Sequence, residues 1–537
     1  MDSTETKRAY RRSIFDALCV AVLIAYFLHF ALPALRGGFR EDEMMNMGIC
    51  WCAGALKSFL ANIVFWKLFL CPGDALYYLP LYLYRPGGAL YYLPLYHFFD
   101  LDPFPYRIAQ ISILAASIPL VYYLSRRLAS SRSIAFLAVL ALCYHPRVGS
   151  LVFISAFIYD VLCGFFYFAA LAYYVHIREK GVSLRPLQLL GFLALYVCAL
   201  NCKEMAVTLP VIVLIYESLK SPSWPDWNEF FRWLRSYAAP SLIAGLLTVF
   251  YIYGKTHGSG SLATLDPYQP KYSWHNFTAS NAKFVGELLF AGHTIAPTTL
   301  LILWAFVFFY AFIRRDRMLE LMAFWIVIVP VPLAFIVPVR GGAPLYLLLF
   351  GWAMIFAKLA FDLISLISKF SPFVGNRVQA ATTGATVRVA SAKVSPRVFR
   401  IITTLLVAFA LAAFTQRENQ RLRAPWLNVG AKTSHVIQTF HSLGLRPMHG
   451  SRILLSLKEN LFQNKWNAFF IASLVWNDHS LRIWVENADE LTPQQQANVD
   501  YIISLGEFSA DVIRSPERRN AQSRTEERRQ NVRVSDL

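Results

Sequence analysis

Long apolar stretches alternate with short polar breaks from residue 14 to residue 415. A helix of about 20 apolar residues crosses ~30 Å of hydrocarbon. The pattern predicts about eleven spans, near residues 14–35, 107–124, 133–149, 151–175, 187–202, 204–219, 237–254, 298–313, 319–338, 343–366 and 399–415. Stretches 187–202 and 204–219 sit so close together that one is expected to tilt or re-enter the membrane. The loop between the first two spans, 36–105, is long and itself apolar. Trp, Phe and Leu recur at helical spacing over 44–70, which predicts helices lying in the membrane interface. Within this loop the segment 75–82 is repeated at 89–96, a local duplication too short for a solenoid. A second loop, 257–297, should hold a short interfacial helix near 282–290, and 370–396 reads as a flexible linker on the basic side. Beyond 416 the pattern changes to short strands over 452–457, 468–475 and 480–485 and a helix over 493–505. The expected division is an N-terminal segment (1–13), a transmembrane domain (14–415), a small α/β segment (416–513) and a charged, disordered tail (514–537).

Composition supports a polytopic α-helical membrane protein. Of 537 residues, 56% are hydrophobic and only 16% charged, too few charges to cover a soluble protein of this length. The net charge of +18 does not signal nucleic acid, because its basic clusters occupy alternate loops. They lie at Lys7 to Arg12, Arg126 to Arg132, Arg178 to Arg185, Arg232 and Arg235, Arg314 to Arg317, and Lys369 to Arg400. This positive-inside pattern puts the N terminus in the cytoplasm and, with an odd number of spans, the C-terminal segment outside. The first apolar stretch lacks a small-residue cleavage site and reads as a retained anchor. All eight cysteines precede residue 203. Cys50, Cys52 and Cys71 share the first loop, where a disulfide is open to them, but the simpler reading is ordinary buried cysteines. Cys50-x-Cys52 without a second ligand pair is a poor metal site.

The outward loops hold the polar residues that stand out: Glu41-Asp42-Glu43, Arg85, His145-Pro146 with Asp160, Lys203-Glu204 and Arg340. Threading the chain through a bilayer brings them to one face. Acids near hydrocarbon are costly unless paired or at work. Three successive carboxylates cannot all point one way, so one or two can face a site. Such a carboxylate suits a general base or a divalent metal, for which Asp42 and Glu43 are the candidates; a solvated helix cap is the plain alternative. Asp160 interrupts an apolar run and could instead pair with Arg147 or cap a helix. Lys203-Glu204 reads either as a neighbouring ion pair or as a cation for a lipid phosphate. Arg85, Arg107 and Arg340 offer guanidinium forks to phosphate or snorkel to the interface. Gly341 and Gly342 would let a ligand approach the backbone.

In order and spacing these motifs resemble those of the GT-C superfamily of membrane glycosyltransferases, which use polyprenyl-phosphate-linked sugars. They are similar to the protein O-mannosyltransferase and aminoarabinose-transferase group, and most of all to the transmembrane part of TMTC-type O-mannosyltransferases. Asp42-Glu43 matches that family's acidic pair in the first outward loop, and Arg85-Pro86 its Arg-Pro. His145-Pro146 with Asp160 fifteen residues after the His matches its His-Pro and Asp, Lys203-Glu204 its Lys-Glu, and Arg340 with Tyr346 its Arg and Tyr-bearing span. The resemblance covers about residues 10–415. It departs at 147–150, where the family has a second His and a Glu, and the tetratricopeptide repeats of the TMTC type are missing.

The resemblance implies a GT-C fold and an inverting sugar transfer at the outer face. Asp42 would be the base, and Lys203, Arg340 and Arg85 would hold the lipid phosphate. Glu41, Glu43, His145, Asp160, Glu204 and Tyr346 would bind sugar or acceptor, orient the base or place a divalent metal. The partners implied are a polyprenyl-phosphate-linked sugar, a glycan, lipid or protein acceptor, and membrane lipids. The compact tail points to a bacterial inner membrane. Two rival readings are a transporter or flippase, which places ionisable groups near the midplane on broken helices, and a non-catalytic envelope-assembly protein.

Overall fold

A computed structural model describes residues 3–70, 82–221, 226–257, 261, 269–291, 294–337, 341–379, 396–422, 424–428, 430–458, 461–462, 464–487 and 499–514. Helix α1 (Ser3–Ala31) is followed by α2 (Glu41–Ile63), a short hairpin of β1 (Phe69–Leu70) and β2 (Tyr82–Leu83), α3 (Ala89–Phe99) and α4 (Pro103–Ala129). Next come α5 (Arg132–Cys143), the single turn α6 (Ser150–Phe153), α7 (Ile158–Arg178), α8 (Pro186–Cys202), α9 (Leu209–Lys220), α10 (Trp227–Trp233), α11 (Ala239–Thr256) and α12 (Trp274–Leu288). The membrane part ends with α13 (Pro297–Arg314), α14 (Arg317–Ile328), the turn α15 (Val331–Ala334), α16 (Tyr346–Gln379) and α17 (Pro396–Leu422). The remainder comprises α18 (Ala424–Leu427), α19 (Ala431–Ser442), β3 (Arg452–Leu457), α20 (Trp466–Trp476), β4 (Arg482–Asn487), β5 (Tyr501–Leu505) and β6 (Ala510–Arg514).

Among the described residues, eight helices or merged helix pairs are long and apolar enough to cross a membrane. A bent pair, Arg132–Cys143 with Pro146–Phe153 at 45°, makes a ninth. The chain is an integral membrane protein with fewer full-length spans than the eleven expected. The shortfall lies at 187–202 and 204–219: α8 has 17 residues and α9 only 12, about 26 and 18 Å at 1.5 Å per residue. Lys203 is extended and 204–208 form a 3-10 turn, so the polar Lys-Glu pair sits where the helical path is broken. Helices α4, α5, α7, α8 and α16 pack side by side as the core of the bundle.

The interfacial helix expected over 44–70 is α2, broken in the middle at Gly54, whose φ of 73° few other residues adopt. Its second half shows Leu56, Phe59, Leu60 and Ile63 outward. Cys50 and Cys52 are buried in its first half. The helix expected at 282–290 is the longer α12. Of the duplicated segment, 89–96 lies in α3, whereas 75–81 falls outside the described residues. The first ten residues of the expected linker continue α16 to Gln379; 380–395 lie outside the described residues, as does the tail from 515.

The C-terminal segment holds a four-stranded sheet ordered β4-β3-β5-β6, with β6 antiparallel at one edge and the other pairs parallel. Two elements differ from expectation. The run 468–475 is helical, as α20, and 501–505 is the central strand β5 rather than part of a helix. Parallel β3 and β4 require a crossover connection, and α20 supplies it. Helix α20 also packs on α2, which joins the sheet to the membrane part.

Candidate functional site

The predicted site residues form three groups joined by residues 144–157, between α5 and α7, and the first turn of α7. The first group is the N-terminus of α2. Consecutive residues on a helix point about 100° apart, and Asp42 and Glu43 divide accordingly. Glu43 is fully buried. One of its oxygens accepts from the amide and hydroxyl of Ser155 and lies 2.9 Å from Arg107 Nη1. The other accepts from the backbone N–H of Arg40, closing the helix start. Arg107 also donates to the Gly38 carbonyl at 2.8 Å. Asp42 is exposed, and among the described residues no hydrogen bond or ion pair engages it. Glu41 accepts from Asn467 Nδ2 of α20 at 2.8 Å, and burial pushes its carboxyl up from the usual range.

The second group lies where α8 breaks. Arg85 meets Glu204 in a two-point fork, Nε to Oε1 at 3.1 Å and Nη2 to Oε2 at 3.0 Å, with its guanidinium 5.7 Å from the Tyr159 ring centroid. Lys203 Nζ is within 2.6 Å of both oxygens of Asp160. Sequence reasoning missed Lys255: it is buried and donates to the Tyr84 carbonyl at 2.8 Å, next to Arg85. Its position in an apolar helix was the available signal. Three cations and two carboxylates thus converge. An apolar groove of about 370 Å³ is walled by Leu90, Tyr91 and Pro94 of α3, Ile113 of α4 and Phe166 of α7, and none of these five charged residues lines it. Gly87 and Cys202, close in sequence to Arg85 and Lys203, also line it.

The third group is the corner before α16. His145 Nε2 is 3.1 Å from the Leu288 carbonyl, and its ring stacks on Phe290 at 4.5 Å. Glu287, another residue missed, accepts from the Gly342 amide at 2.8 Å, and Ser150 Oγ accepts from Ala343 at 3.2 Å. The glycine pair is explained by this packing rather than by ligand approach. A Cβ on Gly341 would sit 2.1 Å from Glu287 Oε2, and Gly342 has φ 73°. Tyr346 opens α16 with its ring against Gly164 and Phe168. Arg340 lies outside the described residues.

The connecting segment 144–157 and the first turn of α7 tie these groups together. His145 touches the loop after α12, Ser155 holds Glu43, and Asp160, at the start of α7, holds Lys203. Asp160 pairs with Lys203 rather than with Arg147, the partner considered from sequence. Among the described residues a metal finds no ready set of donors. The described residues contain no group of three or more His, Cys, Asp or Glu side chains able to hold an ion, and both Glu43 oxygens are engaged by Arg107, Ser155 and Arg40.

No protein-family model matches the chain, and no curated protein sequence is similar to it. Its structure is similar to that of the Archaeoglobus fulgidus oligosaccharyltransferase in the apo form, with a TM-score of 0.50 over 91% of this chain and 69% of the other at 11% identity. It is similar to the same extent to the archaeal oligosaccharyltransferase AglB from Archaeoglobus fulgidus in complex with an inhibitory peptide and a dolichol-phosphate. There the TM-score is 0.50 over 92% and 69% of the two chains, also at 11% identity. At that identity the likeness is one of fold.

Proposed function

We propose that this chain transfers a sugar from a polyprenyl-phosphate donor to an acceptor hydroxyl, with inversion, at the membrane face that carries Asp42. The observation that carries the reading is the apolar groove lined by Gly87 and Cys202, which stand close in the chain to Arg85 and Lys203. An isoprenoid chain belongs in such a groove and its phosphate beside such cations. The fold relative bound to a dolichol-phosphate agrees with this ligand class. The finer points are also part of the proposal: a mannose-like hexosyl donor, a glycan, lipid or protein acceptor, a bacterial inner membrane with the N terminus in the cytoplasm, and a site and C-terminal segment outside.

Asp42 takes the acceptor hydroxyl proton, and the oxygen attacks the anomeric carbon. The bond from that carbon to the phosphate oxygen breaks, and the polyprenyl phosphate leaves with the electron pair. Phosphate is a good leaving group, so the protein's task there is to stabilise charge. Lys203 and Arg85, fixed by Asp160 and Glu204, do this without reorganising, and Arg340 joins them in the reading drawn from the family. Glu43 positions Asp42 and does not react, and no step runs through a metal.

The test is transfer of radiolabelled sugar from synthetic polyprenyl-phosphate donors by purified protein, with water or an envelope extract as acceptor. Loss of general-base catalysis in D42N should lower turnover by roughly 10²–10⁴-fold. Undiminished turnover in D42N would overturn the base assignment.

A further inference from the structure

Helix α4 carries Arg107 near one end and Arg126 and Arg127 near the other, ~30 Å apart at 1.5 Å per residue. That is the thickness of the hydrocarbon layer, so the second end lies at the membrane face opposite Asp42. A cavity of about 550 Å³ opens there, lined by Arg126, Arg127, Arg132 and Arg400 with Ser133 and Glu179. Its volume is that of a small-ligand site. Arg126 and Arg132 are braced by Asp16 of α1, and Arg127 Nη1 lies 2.8 Å from Glu179. The side chains of Arg126, Arg127 and Arg132 are 37%, 41% and 32% exposed. Four guanidiniums stand against two carboxylates, Glu179 in the lining and Asp16 behind it.

We propose that this cavity binds a phosphate-bearing anion, namely the headgroup of an anionic phospholipid of the surrounding leaflet. Guanidinium forks match phosphate oxygens, and basic pockets between helix ends collect anionic headgroups. The source is indicated by α17. Ile401, which lines the cavity, begins a row with Leu405 and Phe409 at four-residue spacing on one helix face. All three side chains are more than half exposed. A lipid with its headgroup among the arginines would lay its acyl chains along that row. This site is separate from the groove beside Lys203 and does not depend on the transferase reading.

The experiment uses the full chain reconstituted in phosphatidylcholine vesicles containing spin-labelled phosphatidic acid or spin-labelled phosphatidylcholine. The wild type should retain labelled phosphatidic acid in preference to labelled phosphatidylcholine. The Arg127→Gln, Arg400→Gln variant should lose that preference, by roughly fivefold per guanidinium removed. Arg127→Lys, Arg400→Lys, which keeps both charges, should retain most of it and shows whether substitution alone disrupts folding. Loss of the preference in millimolar inorganic phosphate would support the anion site and assign its occupant to solution. Equal retention of both lipids by the wild type, or a preference unchanged by the Gln variant, would overturn the proposal.

Discussion

Replacing Arg107 with Ala would strip the buried Glu43 carboxylate of its cation, and leaving a buried charge unpaired costs about 3–5 kcal/mol. R107A should therefore unfold at markedly lower temperature in detergent than the wild type, whereas substitution of the exposed Asp42 with Asn should leave the melting temperature alone. Glu41 gives a pH signature. Burial holds its carboxyl above the ordinary 4.5, so the folded chain binds that proton more tightly than the unfolded one. The resulting stability is fully present below about pH 4.5 and is lost as pH rises through the folded value. Gln at position 41 can still accept from Asn467 and does not ionise. E41Q should thus show a smaller fall in melting temperature between acid and neutral pH than the wild type, and an equal fall would contradict this account. The acidic triplet itself was visible in the sequence. Which of its members is exposed was not, because that is decided by Arg107 and Ser155, both distant in the chain.

At the scale of elements, the groove beside Arg85 and Lys203 offers a direct measurement. Ala109 of α4 lines it, and Trp there would displace isoprenoid methylenes. A109W should raise KM for a long-chain polyprenyl donor roughly tenfold, the worth of two buried methylenes, and leave KM for a short, water-soluble donor unchanged. Equal effects on both donors would show that the groove does not hold the chain. Helices were legible wherever the apolar pattern ran long, as in α4, α13 and α16. Legibility failed at 468–475, because a short continuous apolar run fits a buried strand and a buried helix equally. It failed again at 501–505, whose parallel pairing with β3 is a long-range fact. The break at Lys203 and the end of α8 before it could be read from the polar residues, but the 3-10 turn over 204–208 that shortens α9 could not.

At the scale of the molecule, the α/β unit is docked on α2 beside the site. Trp51 Nε1 donates to Asn477 Oδ1 at 2.7 Å, its ring stacks on His479 at 3.8 Å, and Asn467 reaches Glu41. A W51A variant should release this unit, seen as faster proteolytic cleavage near residues 424–430 with the membrane bundle still intact. An unchanged cleavage rate would mean that other contacts suffice to hold it. The motif residues shared one face by threading alone, but their assembly into three groups along 144–157 and the first turn of α7 needed contacts no spacing reveals. The pairing of Glu41 with Asn467 spans 426 positions of sequence. A ribosome makes α2 early and Asn467 only after every membrane helix has emerged. The wall beside Asp42 is therefore built late, and a nascent chain carries its acidic residue without its finished surroundings until Asn467 has been made.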